Sequence, residues 1–403
     1  MKTQCAVAVS LEAETPAAMT ELCEKAVESR SGQSVDLALL FFSNHHAEHI
    51  ADVLPNLRER LNPGVVLGCS CQGIIGGAKE IETTPGMCLW IAHLPQTHLE
   101  PFHLTFEQQN DRVTVAGWPK GMPVYDRASD PPTTLLLAEP YSTPASELLA
   151  FLGDQFPGAP AVGGMASSGN APGQNRLLFN DHVVTSGTVG VTMTGAVKIC
   201  TVVSQGCRPI GERFIITKAE GNIIHELGGS SALDRLQEVF EGLNQEDQQQ
   251  ARTKIMAGYA MDEYKQELGR GDFLIRGLVG VDRSSGSIAL GDVVKEGQTV
   301  QFQLRDEKAA SEDLNLLLAE VKGQLPGIEV NGALLFSCNG RGQRFFGRPH
   351  HDVSSIRERV GEVPVGGFFA AGEIGPVGSM NFLHGFTASV ALFCQVPATT
   401  SDT

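Results

Sequence analysis

The chain contains no apolar run that approaches the length of a membrane span. Its first residues, Met1 to Glu14, reach Glu12 and Glu14 too soon to hold the apolar core and cleavage site of a secretory signal. Basic residues are also scarce. Thirty Lys and Arg stand against 46 Asp and Glu, a formal charge of −16, and the basic residues do not cluster. Phosphate backbones and anionic membranes attract basic footprints, so this balance argues against nucleic acid and membrane insertion. It leaves open a small anionic ligand, which a few local residues can hold. Nine cysteines, at 5, 23, 69, 71, 88, 200, 207, 338 and 394, are odd in number and scattered, and form no disulfide framework. These absences together predict a cytoplasmic protein with reduced thiols. Walker, Rossmann and kinase signatures are missing, as is the H-E-x-x-H pair of zinc proteases.

What is present is an ordinary globular composition, 42% hydrophobic and 19% charged, over 403 residues. That length suffices for two domains with their own cores. A plan of strand, loop, helix, strand and glycine occurs three times. Leu37 to Phe42 is a strand-length apolar run, Ile50 to Leu61 a one-sided helix, and Val65 to Leu67 a strand entering Gly68. Thr134 to Ala138, a helix started at Ser142-Thr143-Pro144, and Ala161-Val162 entering glycine repeat it. Ala333 to Phe336, a helix with Asp352 as N-cap, and Pro364-Val365 make the third copy. Laid over one another, Gly68, Gly164 and Gly367 coincide, and so do Gly73, Gly169 and Gly372. The bland reading is that any α/β chain places glycine after a strand. The functional reading is that equivalent loops converge on one pocket. Elsewhere, Thr15-Pro16 predicts a hydroxyl-capped helix, and Gly195 a turn joining neighbouring strands. Ser231 to Leu243 and Glu307 to Leu325 predict further helices, Phe273 to Asp282 and Thr299 to Leu304 further strands, and the residues after Pro397 a loose tail.

The stretch from Gly332 to Phe386 carries the densest signal. Phe336-Ser337-Cys338-Asn339-Gly340-Arg341-Gly342, the later Gly372-Glu373-Ile374-Gly375-Pro376 and the closing Asn381-Phe382-Leu383-His384-Gly385-Phe386 resemble the C-terminal half of a FIST-domain protein. Gly68-Cys69-Ser70-Cys71-Gln72-Gly73, Val203 to Gly211 and Phe273 to Arg276 extend the resemblance over nearly the whole chain. It implies an α/β (mixed α+β) fold of two similar-sized domains, FIST N over 1–215 and FIST C over 216–397, each a mixed sheet with packed helices. It also implies a bacterial small-ligand sensor acting in signal transduction through a separate signalling protein, without catalysis of its own. A single fused sheet fits the strand count as well.

Arg341, in a glycine-flanked loop at a strand end, can grip a carboxylate with its two-pronged fork. It can equally pair with a structural carboxylate such as Glu373. Glu373, between glycines, can hold an ammonium group, so the two together suit an amino acid or similar small zwitterion. His384 and Asn381 can contact the ligand or each other, and Asn339 lies in the Arg341 loop. Arg276 is a second basic candidate. Cys69 and Cys338 invite a nucleophile reading, but no activating base is set by spacing, and buried cysteine is usually a small apolar residue. His45-His46, His49 and His350-His351 could reach a metal or haem iron, and the resemblance admits a haem-based gas (nitric oxide) sensor as an alternative, beside a cysteine-dependent enzyme or a protein-binding adaptor. The ordinary reading is solvated helix ends, so no cofactor or metal is assigned.

Overall fold

Strand β1 (Gln4–Ser10) leads through helix α1 (Thr15–Ser29) to β2 (Leu37–Ser43), helix α2 (Ile50–Leu61) and β3 (Val65–Cys71). A short hairpin, β4 (Ile74–Gly76) with β5 (Lys79–Ile81), and a return strand β6 (Met87–His93) complete the first unit. The second unit has β7 (Thr97–Gln109), β8 (Arg112–Ala116), β9 (Thr133–Ala138), α3 (Ala145–Gln155) and β10 (Ala161–Met165). Its hairpin is β11 (Leu177–Phe179) with β12 (His182–Val184), and its return strand β13 (Thr188–Gly195). The third begins with β14 (Val197–Ser204) and is then interrupted by a long insertion. That insertion holds β15 (Cys207–Glu220), β16 (Ile223–Leu227), β17 (Ser230–Ser231), α4 (Ala232–Glu241), α5 (Gln245–Lys254), β18 (Ile255–Ala260), β19 (Phe273–Asp282), β20 (Ser287–Leu290) and β21 (Thr299–Arg305). The third unit resumes with α6 (Glu307–Gly323), β22 (Glu329–Cys338), α7 (Gln343–Phe346), α8 (His351–Val360) and β23 (Val365–Ala370). It closes on the hairpin β24 (Glu373–Val377) with β25 (Met380–His384) and the return strand β26 (Ala388–Gln395). This computed structural model describes residues 2–110, 112–122, 131–265, 268–269, 271–324 and 326–395. Leu325 and the tail after Pro397 lie outside the described residues.

The three units form three mixed sheets, ordered β1-β6-β2-β3-β11-β12, β8-β7-β13-β9-β10-β24-β25 and β14-β26-β22-β23-β4-β5. In each, the two strands joined by the crossover helix (β2 and β3, β9 and β10, β22 and β23) run parallel, and the return strand joins the first of them antiparallel. The hairpins do not stay at home. β4 pairs with β23 of the third unit, β11 with β3 of the first, and β24 with β10 of the second. The exchange is cyclic, and it turns a sequence repeat into a threefold arrangement.

Strand periodicity then divides the apolar side chains. Leu37, Leu39 and Phe41 share one core with Leu135, Leu137, Leu334, Phe336 and Phe368 from the other units. Ala38, Leu40 and Phe42 face the other way, against Leu22, Ile50, Leu54 and Leu57 of the helices. Each fully buried Leu or Phe contributes about 1.5–3 kcal/mol, which is why β2 tolerates no polar residue before Ser43.

By contacts the chain divides into 1–203 with 315–403, and 204–314. In the smaller part, strands β15, β21, β18, β19, β20 and β16 pair in that order, and β16 pairs back onto β15, so the antiparallel sheet closes on itself. The expected cut at 215/216 is a division of the sequence, and it falls within β15.

Three local expectations are corrected. Gly195 joins no neighbouring pair, because β13 lies in the second sheet and β14 beside β26 in the third. The register sets Gly163, not Gly164, in the place of Gly68 and Gly367, opposite Leu136, Leu40 and Leu335 respectively. Thr15 and Asp352 do not cap their helices. The N-cap positions are Glu14 and His350, and the polar side chains expected there are drawn into tertiary bonds, Thr15 Oγ1 to His46 Nδ1 at 3.0 Å.

Gly163 and Gly367 have φ of +156° and +154°, and a Cβ on either would lie 1.9 Å from the carbonyl oxygen of the partner strand. Gly367→Ala should therefore lower unfolding free energy by at least about 2 kcal/mol in urea titration. Gly153→Ala, in helix α3 with open space around it, should be neutral or stabilise by up to about 1 kcal/mol. Equal effects at the two positions would refute the close-approach argument.

Candidate functional site

The strands that follow the crossover helices, β3, β10 and β23, end beside one another, and their exit turns are stitched together. The Gln72 amide donates to Ser167 Oγ at 2.9 Å, the Ser167 hydroxyl donates to the Phe369 carbonyl, and the Phe369 amide donates to the Gly73 carbonyl at 2.9 Å. Ala371 N–H reaches Met165 O at 3.1 Å, and Asn339 N–H reaches Ala370 O at 2.9 Å. Beneath this seam runs a buried polar chain. The Ser168 hydroxyl donates to Ser70 Oγ (2.6 Å), and Asn175 Nδ2 donates to Glu139 Oε1 (3.1 Å). The other Glu139 oxygen accepts from Tyr141 N–H and the Ser142 hydroxyl. Ser70, Glu139 and Asn175 are fully buried, and satisfied polar networks of this kind fix a single arrangement of the loops above them. On the outer side Gln72, Asn170 and Ala371 are exposed, with Ser167, Ser168, Asn339 and Gly340 half-buried.

Arg341 lies just beyond Asn339, and its guanidinium is buried. Nε and Nη2 donate to the two oxygens of Asp352 at 2.7 and 2.9 Å, and the group lies over the Phe346 ring at 5.1 Å. The two-pronged grip expected of Arg341 is thus made to an internal carboxylate, Asp352 rather than Glu373. Asp352 also accepts from the Ser337 hydroxyl (2.9 Å) and His351 Nδ1 (2.9 Å), and His351 stacks on Phe346. Burial alone would raise the Asp352 pKa, but the charge and fork of Arg341, with His351, hold it well below the usual carboxylate range. Glu80 arrives from β5 of the first unit. Its Oε1 accepts the Val353 amide at 2.9 Å and supplies the cap of α8 that Asp352 does not. Burial, and then the Asp352 charge, push the Glu80 carboxyl up to about 8.

The remaining candidates separate. Glu373 is fully buried at the start of β24, where Oε2 accepts the Thr387 amide (3.1 Å), and His384 is its register partner on β25. Thr387 O in turn accepts the Cys338 amide (3.0 Å), which brings Glu373 and the Cys338–Arg341 loop to the same strand ends. His384 Nε2 donates to Gly375 O (3.0 Å). Asn381 spans Ala161 N–H and Ala159 O, both at 2.8 Å, and so anchors the start of β10. Arg276 belongs to the 204–314 unit, where Nε donates to Asp292 at 2.8 Å. Cys338 Sγ accepts the Gly340 amide (3.4 Å); Cys69 is fully buried, and burial pushes its thiol well up. His45 bonds Ala13 O, and buried His46 is driven down to about 4 by burial. His350 Nδ1 accepts the Glu80 amide. Among the described residues no group of three or more His, Cys, Asp or Glu could hold a metal ion.

The FIST N domain model matches residues 36–230, and the FIST C domain model matches 232–376. The chain belongs to the FIST family. An uncharacterized protein of Mycobacterium tuberculosis, Rv0628c, is 43% identical over 387 residues, 96% of this chain and 98% of that protein. A Mycobacterium bovis protein, Mb0898c, is 42% identical over 382 residues, 94% and 96% of the two chains. The F-box/LRR-repeat protein At5g63520 of Arabidopsis thaliana is 39% identical over 85 residues, 20% of this chain and 16% of that protein. No helix among the described residues of this FIST chain is long and apolar enough to cross a membrane.

Ser70, Ser168, Asn175 and Glu139 are the site residues that sequence reasoning missed. Glu139 closes an apolar run, which was a readable sign of a polar group held at a strand end. The ion pair itself yields two expectations. Removing one partner of a buried pair strands the other, so Arg341→Ala should cost about 3–5 kcal/mol in urea titration, and an Arg341→Met/Asp352→Leu double variant should recover much of it. A single variant within 1 kcal/mol of wild type would contradict this. Glu80 has a folded-state pKa raised above its unfolded value, so the native state binds more protons between them. Stability should fall as pH rises from about 5 to 8, and Glu80→Gln should flatten that limb. An unchanged pH profile in the variant would show that another group is responsible.

Proposed function

We propose that this chain is a small-ligand-binding sensory protein of the FIST family, whose ligand sits on the outer face of the seam where β3, β10 and β23 end. The convergence of those three exit turns is the observation that carries the reading. It gathers Gln72, Ser167, Ser168 and Asn339 from three turns at one set of strand ends, with Gln72 exposed and the other three half-buried, as ligand sites at strand ends do. The ligand class is an amino acid or a similar small zwitterion. Asn339 Oδ1, a buried acceptor with no partner among the described residues, suits the ammonium group of such a ligand. Arg341 and Glu373 act from behind, holding the Cys338–Arg341 loop and the start of β24 in place. Output passes to a separate signalling protein. The burial of Cys69, with its thiol pushed up, weighs against a cysteine-dependent enzyme.

Thermal-shift screening of the purified protein against the common amino acids at millimolar concentration should give at least one upward shift. Calorimetry with that amino acid should then show Asn339→Ala weakening binding about tenfold or more, the worth of one charge-assisted hydrogen bond, with an unchanged ligand-free Tm. No shift from any amino acid, combined with a Soret band on addition of haemin, would replace this reading with the haem sensor.

A further inference from the structure

Strand β14 is the outer strand of the third sheet and is hydrogen-bonded to β26. Cys200 stands in the middle of β14 and is partly exposed; Cys394, near the end of β26, is buried. Their sulfurs are 3.9 Å apart, and the Cys394 thiol is directed at the Cys200 sulfur. Two sulfurs this close on hydrogen-bonded neighbouring strands are within reach of the roughly 2.0 Å of a disulfide bond by side-chain rotation. The environment also differs from that of the other thiols. Burial pushes Cys23 up to about 11 and Cys88 up to about 12, and Cys69 and Cys71 well up. At Cys200 the bond from Cys394 outweighs burial, Lys198 adds a positive charge, and the thiol comes down to about 7. An accessible low-pKa thiol with a second thiol in contact is the arrangement that redox-sensing cysteines share.

We propose that Cys200 and Cys394 form a reversible disulfide when the protein meets a hydroperoxide. The Cys200 thiolate attacks the terminal peroxide oxygen, the O–O bond breaks, and the departing alkoxide or hydroxide takes up a proton. This leaves a sulfenic acid on Cys200. The Cys394 sulfur then attacks the Cys200 sulfur, the S–O bond breaks, and the leaving oxygen departs as water with the Cys394 proton. Two thiols lose two electrons, and one hydroperoxide is reduced to an alcohol, or water, and a further water. The product ties β14 to β26 at the strand from which the chain leaves for residues 204–314. A dithiol reductant reverses it by exchange.

The test uses the full chain, treated with hydrogen peroxide, quenched, unfolded without reductant and assayed for thiols. Wild type should lose two of its nine thiols and recover both after dithiothreitol. Peptide mapping should find Cys200 joined to Cys394. Cys394→Ser, which removes the resolving thiol, should accumulate a sulfenic acid at Cys200 that dimedone traps, and Cys200→Ser should give neither cross-link nor adduct at that strand. All nine thiols surviving in wild type, a cross-link joining other cysteines, or a Cys394→Ser protein without a dimedone adduct would each overturn the proposal. The wild-type count and map need no variant to fold.

Discussion

A strand cannot leave its outward backbone groups unpaired beneath a buried face, and this constraint shapes the larger part of the molecule. β3, β10 and β23 each have one neighbour from their own unit, and each takes the other from the next unit's hairpin. The exchange is reciprocal around a ring, so no unit can complete its sheet alone. Core burial follows from it. Leu37, Leu135 and Leu334 reach the same cluster only when all three sheets are closed. The exit-turn seam is the other product, since strands that trade hairpins must end side by side.

The exchange also supplies what the crossover helices lack. Glu80, carried in on β5, caps α8. Arg58 of α2 meets Asp181 and Asn180 at the turn between β11 and β12, and Leu383 of β25 packs with Leu148 and Leu152 of α3. With the cap provided from elsewhere, Asp352 is released to neutralise Arg341. A buried ion pair of this kind adds little net stability over an apolar substitute, because desolvation offsets most of the attraction. Its value is positional. Four donors converge on one carboxylate, and the Cys338–Arg341 loop that carries Asn339 is held in one conformation.

The larger features were legible because each depends on local pattern. The runs Leu37–Phe42, Thr134–Ala138 and Ala333–Phe336 are apolar over strand length, and the helices between strands show one-sided periodicity. Both signals survive in any tertiary setting. The hairpins were not legible. Ile74–Gly76 and Leu177–Phe179 are three residues each, shorter than any periodicity can resolve, and their partners are distant in sequence, Ile75 opposite Gly367 and Leu178 opposite Gly68. The caps failed for a related reason. Asp352 is the right residue type at the right offset, but a side chain that can bond locally is equally able to bond across the molecule. Arg341 was identified as a two-pronged binder correctly in chemistry and incompletely in partner, because sequence does not distinguish an internal carboxylate from a ligand's. The slip of one residue at Gly163 and Gly164 reflects two adjacent glycines that only a register can rank.

The position of the insertion explains why sequence domains and compact units differ. Between β1 and β2 the first unit places one helix, α1. At the same place in the third unit the chain leaves at Ser204, forms a closed antiparallel sheet, and returns through α6 to β22. The FIST N and FIST C matches meet between residues 230 and 232, inside that closed sheet and ahead of the third unit's parallel pair. A cut there would part β16 from β20 within the closed sheet, deprive β10 of β24, and leave β4 without β23. Each fragment would expose unpaired strand edges beside a broken core, the condition that favours aggregation over folding. The seam therefore exists only when both FIST regions are present, because Gln72 and Ser167 come from one and Phe369 and Asn339 from the other.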